Sequence, residues 1–166
     1  MNIFVLDKTH DGCVRYLVDK HVVKMPLETA QLLCTAHREL DGDGVVDTRI
    51  YKSTHKNHPC ALWVRETFAN YLWTYILFTC LCKEYEYRYG KTHLCWSKLG
   101  HILSSPPTNI PHGPQTPFAL CMPDECKISN DPVECYREYY IKHKSGLFTW
   151  SARETPHWIK KDCENV

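Results

Sequence analysis

Residues 68–82 place the strongest constraint on the fold. From Phe68 to Cys82 the chain is apolar almost all the way round a helix and carries neither glycine nor proline. A helix without a polar face is normally the buried centre of a larger helical body. The apolar run from Tyr71 to Cys82 is shorter than the roughly 20 residues needed to span a bilayer, so it reads as core and not as an anchor. Pro59 suits a first helical turn and Gly90 suits a stop, which predicts one long helix from Pro59 to about Tyr89. Its aromatics Trp63, Phe68, Tyr71, Trp73, Tyr75 and Phe78 are then core residues first and ligand contacts second.

A second long helix is predicted over about Cys13–Leu40. Val18, Val22, Val23, Leu27, Ala30, Leu33 and Cys34 recur at helical spacing and define its expected buried face. Pro26 interrupts that pattern. It either kinks the helix or opens a new one, because it lacks an N–H and clashes one turn back. Residues 2–6 read as a short apolar strand or extended segment, followed by a polar stretch from Asp7 to Gly12. Asp41-Gly42-Asp43-Gly44 is a turn without the later ligands of a calcium loop. Residues 45–57 are expected to be irregular, with a shorter helix over about Thr92–Leu103 and prolyl loop over Ser104–Pro117. A last helix starts with Asp131 as N-cap, Pro132 first and Glu134 third, and ends near Lys144. The predicted architecture is mostly α: a compact single-domain helical bundle with two long helices, a third C-terminal helix and long ordered loops. One domain over residues 1–166 is expected, with 145–166 as a C-terminal extension.

Charge narrows the function classes. Twenty Lys and Arg against nineteen Asp and Glu give a net charge of +1, so a broadly basic nucleic-acid surface is not expected, and any phosphate binding should be local. The N-terminus lacks the basic and apolar segments of a secretory signal, and the protein is expected to be intracellular. Its ten cysteines are then read as mostly reduced thiols packed as small hydrophobes.

Three constellations carry potential chemistry. His21, Lys24, Glu28, Gln31, Thr35 and Arg38 follow at steps of three and four, which stacks them in one stripe of the helix predicted over Cys13–Leu40. Such a stripe is also how a solvated surface helix looks. As a site, it offers Glu28 as a base or cation stabiliser, His21 as a donor or proton shuttle, and Lys24 as a phosphate ligand or amine nucleophile. The second is the donor-rich run from Tyr51 to Pro59, with Lys52, His55, Lys56 and His58 before a helix N-terminus. His55, His58 and Cys60 suggest a metal, but no second pair has zinc-ribbon spacing, so neither a metal nor any other cofactor is expected. The third is the aromatic and basic tail: Phe148, Trp150, Arg153, His157, Trp158, Lys160 and Lys161. These residues either stack on bases or close the core. No Walker loop, dinucleotide glycine pattern or nucleophile elbow is present.

Read together and in order, these segments are familiar. Asp19-Lys20-His21 followed by Glu28 resembles the N-terminal helix of the phage pyrimidine-dimer DNA glycosylases of the endonuclease V type. Asn57-His58-Pro59 before an aromatic helix ending in Arg88-Tyr89-Gly90 is similar to that family's central helix. Ile110-Pro111-His112 resembles its late loop, and Tyr136-Arg137-Glu138-Tyr139-Tyr140 its aromatic C-terminal segment. The resemblance implies a compact helical, virus-encoded DNA-repair enzyme acting in the cytoplasm of an infected cell. It implies a glycosylase and abasic-site lyase whose N-terminal amine attacks the sugar of a damaged or modified pyrimidine nucleotide and forms an imine. The family's glutamate maps onto Glu28 and its nearby histidine onto His21. Asn2 is too large for easy removal of the initiator, which assigns the amine to Met1, with Asn2 beside it, or to Lys24. Lys24, Gln31, Lys52, His55, Lys56, His58, His112, Arg137 and Tyr140 are the expected substrate and phosphate contacts. Leu27 and Gln31 stand where the family carries arginines. A rival reading follows: a non-catalytic viral protein that sequesters a small signalling nucleotide in the same pocket. DNA or a small nucleotide is the expected partner, and no membrane is.

Overall fold

The computed structural model describes residues 2–159. Six α-helices follow in order: α1 (His10–Arg15), α2 (Asp19–Asp41), α3 (Pro59–Val64), α4 (Phe68–Tyr89), α5 (Leu94–Leu99) and α6 (Pro132–Lys144). Short 3₁₀ turns at Ile102–Ser104, Asp124–Cys126 and Ser145–Leu147 punctuate the connections, and no strand occurs among the described residues. The mostly helical fold with two long helices and a third C-terminal one is therefore the fold observed.

The two long helices pack against each other, and α1 packs on α4. Residues 2–6 run extended through the core without pairing in a sheet, with Ile3, Phe4, Val5 and Leu6 all buried. No helix among the described residues is long and apolar enough to cross a membrane. Nine cysteines are free thiols, seven of them buried; Cys163 lies outside the described residues.

Both long helices are shorter than the apolar pattern predicts, and in each case a distant or polar partner makes the break. Chain 13–40 divides at Tyr16–Val18. The Arg88 guanidinium donates to the carbonyls of Val14, Arg15 and Leu17, the free end of α1. The N–H of Asp19, at the first turn of α2, is taken by the Thr149 carbonyl. Chain 59–89 divides at Arg65–Thr67. Thr67 is an N-cap whose hydroxyl accepts from Asn70 N–H, and the Phe68 N–H donates to the Pro111 carbonyl. A capped helix start inside an apolar run costs little, because the cap satisfies the donors that a break exposes. Pro26 neither ends nor begins a helix; α2 continues through it.

The buried faces also shift. Val23 and Leu27 are exposed, while Met25, Thr29 and Leu32 are buried. Helix α4 is one-sided and not a fully enclosed centre: Tyr71, Leu77, Phe78 and Leu81 are buried, whereas Phe68, Leu72 and Ile76 form an exposed stripe. The predicted ends hold elsewhere. Gly90 terminates α4 in the left-handed region at φ 67°, where glycine has no Cβ to strain. Asp131 caps α6 by accepting from Val133 N–H, with Pro132 at the first position. The helix predicted over 92–103 shortens to α5 plus a 3₁₀ turn, capped by His93.

The tail belongs to the core. Phe148, Trp150 and Trp158 pack against it, Trp150 Nε1 donates to the Tyr16 carbonyl at 3.0 Å, and Arg153 pairs with Glu84 at 2.8 Å. These aromatics close the fold and are not free to stack on bases. Lys160 and Lys161 lie outside the described residues.

Candidate active site

Helix α2 carries the first wall of a cleft. His21, Lys24 and Glu28 follow at steps of three and four residues, about one helical turn each, so their side chains share one face. They line an open cleft of about 290 Å³ together with Asn2 and Phe4 of the extended N-terminal segment, His58 at the head of α3, Cys121 of the long loop, and Tyr139 and Lys144 of α6. That volume lies at the lower edge of the roughly 300–1,000 Å³ usual for small-molecule sites.

Glu28 holds the cleft's carboxylate. Its side chain is 13% exposed and meets the Lys24 ammonium at 2.8 Å. Burial pushes its pKa up, but the Lys24 hydrogen bond and charge act against burial, and the net direction is down. Glu28 is thus an anion at neutral pH, suited to stabilise a cation or take a proton and not to donate one.

His21 is the opposite case. It is buried, stacks on Phe4 with centroids 4.8 Å apart, and its Nδ1 lies 2.6 Å from the Tyr140 hydroxyl. That hydroxyl accepts from Val18 N–H at 3.4 Å. Its own proton is then directed at Nδ1, which leaves the imidazole proton on Nε2. Burial first, then the Lys144 and Lys24 charges, push the His21 pKa down to about 4, against the pull of Glu28. The ring is neutral at physiological pH, so it offers a hydrogen-bond donor and not a phosphate-neutralising charge. His58 is also pushed down, by burial first and by the neighbouring His55. The cleft's side-chain cations are therefore Lys24 and Lys144.

The buried His21 makes the fold acid-labile. An unfolded histidine titrates near 6.5. Between that value and about 4 the unfolded chain binds a proton that the folded one refuses, so stability falls as pH drops through this window. The full loss is about 3 kcal/mol. His21→Gln should flatten this part of the curve of urea-unfolding free energy against pH. An unchanged slope would assign the acid lability elsewhere.

Several expected contacts lie away from the cleft. Tyr140 is fully buried, so it positions His21 and is not a surface for substrate. Arg137 donates to the Leu6 carbonyl, faces Asp7 and lies over the Tyr16 and Trp158 rings, which ties the N-terminal segment to α6 and the tail. Thr35 and Arg38, at the far end of the stripe, bind the 50–54 segment: Thr35 exchanges hydrogen bonds with Thr54, and Arg38 donates to the Ile50 and Tyr51 carbonyls. Gln31 is half-buried and does not line the cleft. Lys52, His55, Lys56 and His112 are exposed and outside it. Lys56 faces Glu39 at 3.5 Å, and His55 adopts a left-handed φ of 47° in the turn that leads to α3. Met1 lies outside the described residues, whereas Asn2 is in the cleft wall, with its amide donating to the Cys121 carbonyl at 2.7 Å.

Five lining residues escape sequence reasoning: Phe4 and Met25, which read as plain apolar residues, and Cys121, Tyr139 and Lys144. Cys121 comes from a loop without periodicity, and Lys144 ends a helix at a position that favours any cation. Tyr139 neighbours the Tyr140 chosen from the same motif. Successive residues on a helix diverge by about 100°, so one faces the cleft when the other is core.

The profile of the pyrimidine dimer DNA glycosylase family matches residues 1–97. That stretch contributes Asn2, His21, Lys24, Glu28 and His58 to the cleft. No curated protein and no solved structure gives a significant match. With more than half of its length matched, and with the matched half supplying the carboxylate and its neighbours, the chain belongs to the pyrimidine dimer DNA glycosylase family.

Proposed function

We propose that this protein is a DNA glycosylase with abasic-site lyase activity, acting on a damaged or modified pyrimidine nucleotide drawn into the Glu28 cleft. One observation carries the reading. Asn2, next in sequence to the chain's first residue, lines the same cleft as Glu28. The α-amine is the nucleophile. Its reference pKa of roughly 7.7–8.0 leaves a useful neutral fraction near physiological pH. The neutral amine bonds to C1′ of the sugar as the base leaves with the bonding electrons. The amine then loses a proton and the C1′–O4′ bond opens, with O4′ taking a proton, to give an iminium stabilised by the Glu28 carboxylate, which accepts the C2′ proton as the 3′-phosphate is expelled in strand cleavage. Tyr139 supplies an aromatic face to the extracted nucleotide, and Lys24 and Lys144 hold its phosphates. Borohydride trapping with abasic and ultraviolet-damaged DNA tests this. A covalent adduct mapped by mass spectrometry to the N-terminal residue is expected. An adduct on Lys24, or none, overturns the assignment.

DNA binding is local. With two cleft lysines and a few exposed cations at the rim, log affinity should fall with log salt less steeply than about −6. Lys56→Ala should weaken all sequences alike and flatten the slope by about one. Its partner Glu39 is no obstacle, because an exposed pair holds little energy. A small nucleotide bound tightly, with no DNA affinity at low salt, would mark a sequestering protein in place of an enzyme.

A further inference from the structure

We propose that His58, Cys60 and Cys121 form a binding site for one thiophilic divalent cation of the zinc class, set in the wall of the Glu28 cleft. Their potential ligand atoms all lie within 4.8 Å of one another. The two sulfurs are 3.4 Å apart. A tetrahedral site with metal–sulfur bonds of about 2.3 Å has a sulfur–sulfur edge of about 3.8 Å. A shift of a few tenths of an ångström therefore opens the pair around an ion. Two thiolates and an imidazole are the donor set that selects zinc over harder cations.

The three ligands converge from separate parts of the chain. His58 and Cys60 flank the first turn of α3, and Cys121 is held from the long loop, where its carbonyl accepts the Asn2 amide. Asn2 Oδ1 lies 3.6 Å from Cys60 Sγ and is fixed by the Tyr136 hydroxyl at 3.1 Å. His58 and Cys121 both line the cleft. Three protein ligands leave the fourth position to a water from the cleft or to Asn2 Oδ1. The cation displaces the thiol protons to solvent, and its two positive charges are balanced by two thiolates. Glu28 thus keeps its own charge. The ion would cross-link the start of the chain, α3 and the long loop at the cleft where they meet.

Binding has one internal competitor. His58 Nδ1 accepts from Cys60 N–H at 3.1 Å and caps α3. A ring bound through Nδ1 uses that lone pair, and a ring bound through Nε2 carries its proton on Nδ1. The cap is lost in both cases. Glu125, Cys126 and His143 also converge, but that group has a single thiol and two exposed members, which makes it a useful control.

Cobalt(II) titration of the reduced, chelator-treated protein tests the site without reference to DNA, so its outcome is separate from that of the glycosylase reading. One cobalt per chain is expected, with thiolate charge-transfer bands and the intense visible bands of tetrahedral cobalt. Zinc should displace it, with release of protons and a rise in melting temperature. Cys121→Ser should abolish the charge-transfer bands. His58→Asn should weaken them while keeping the helix cap, since Asn is a strong N-cap; circular dichroism checks the fold of each. Glu125→Gln should change nothing. The proposal is overturned if the reduced protein shows no charge-transfer band, if the band survives Cys121→Ser, or if Glu125→Gln removes it. It is also overturned if mild oxidation with glutathione disulfide joins Cys60 to Cys121 in a protein that binds no cobalt when reduced.

Discussion

Glu28→Gln is expected to lower strand cleavage and borohydride-trappable adduct by about 10²–10⁴-fold, the usual contribution of a positioned acid–base group. The substitution preserves shape and removes one negative charge from the cleft. Lys24 loses its partner at 2.8 Å and becomes free to meet phosphate, so affinity for DNA should hold or rise. This split separates the reading from a structural role. A structural carboxylate would lower binding and melting temperature together with activity. Single-turnover rates and equilibrium binding at fixed salt, measured on the same abasic substrate, give the comparison. The acid side is informative too. Glu28 is held below its ordinary carboxylate value by Lys24 despite its burial, so its protonation limits catalysis only on the acid side of that value. Loss of activity nearer neutrality would instead report protonation of the amine. An unchanged rate in Glu28→Gln would refute the proposed chemistry.

The parts of the site legible in the sequence are those set by one helix. His21, Lys24 and Glu28 fall on one face by period alone, and the structure places all three in the cleft. The same period carries the stripe on to Gln31, Thr35 and Arg38, where it misleads, because the helix leaves the cleft and meets the 50–54 segment. What covers a helix face is a tertiary fact, and no local pattern encodes it. Cys121, Tyr139 and Lys144 come from chain more than 90 residues away from α2's first turn and were not readable for that reason. The fold shows the same division. Helix type and the capped ends at Gly90 and Asp131 follow from local chemistry, and the exposed Val23 and Leu27 do not. Apolar character predicts burial only where a neighbour exists to bury it.

The break between α1 and α2 rests on one side chain, and Arg88→Met should expose how much. The Arg88 side chain is 1% exposed. It pairs with Glu84 at 2.7 Å and Asp19 at 2.9 Å, and its remaining donors reach the carbonyls of Val14, Arg15 and Leu17. Those carbonyls end a six-residue helix that is too short to persist alone. Methionine fills much of the volume but takes the guanidinium donor from the Arg15 and Leu17 carbonyls, while Val14 keeps the Leu17 N–H, and it leaves Glu84 with Arg153 as its remaining guanidinium partner. Removing one member of a buried ion pair typically costs about 3–5 kcal/mol, a large share of the roughly 5–15 kcal/mol that holds a domain folded. For a chain of this size the melting temperature should fall by roughly 6–20 °C. The urea midpoint should move with little change in its slope. Adding Glu84→Gln to Arg88→Met should recover part of the loss, because the stranded carboxylate is then neutral. Asp19 keeps its Ser151 hydrogen bonds throughout, so the recovery should be partial. A loss below about 1 kcal/mol would place Arg88 among ordinary surface pairs and would leave the α1–α2 break to the Thr149 carbonyl, which takes the Asp19 N–H.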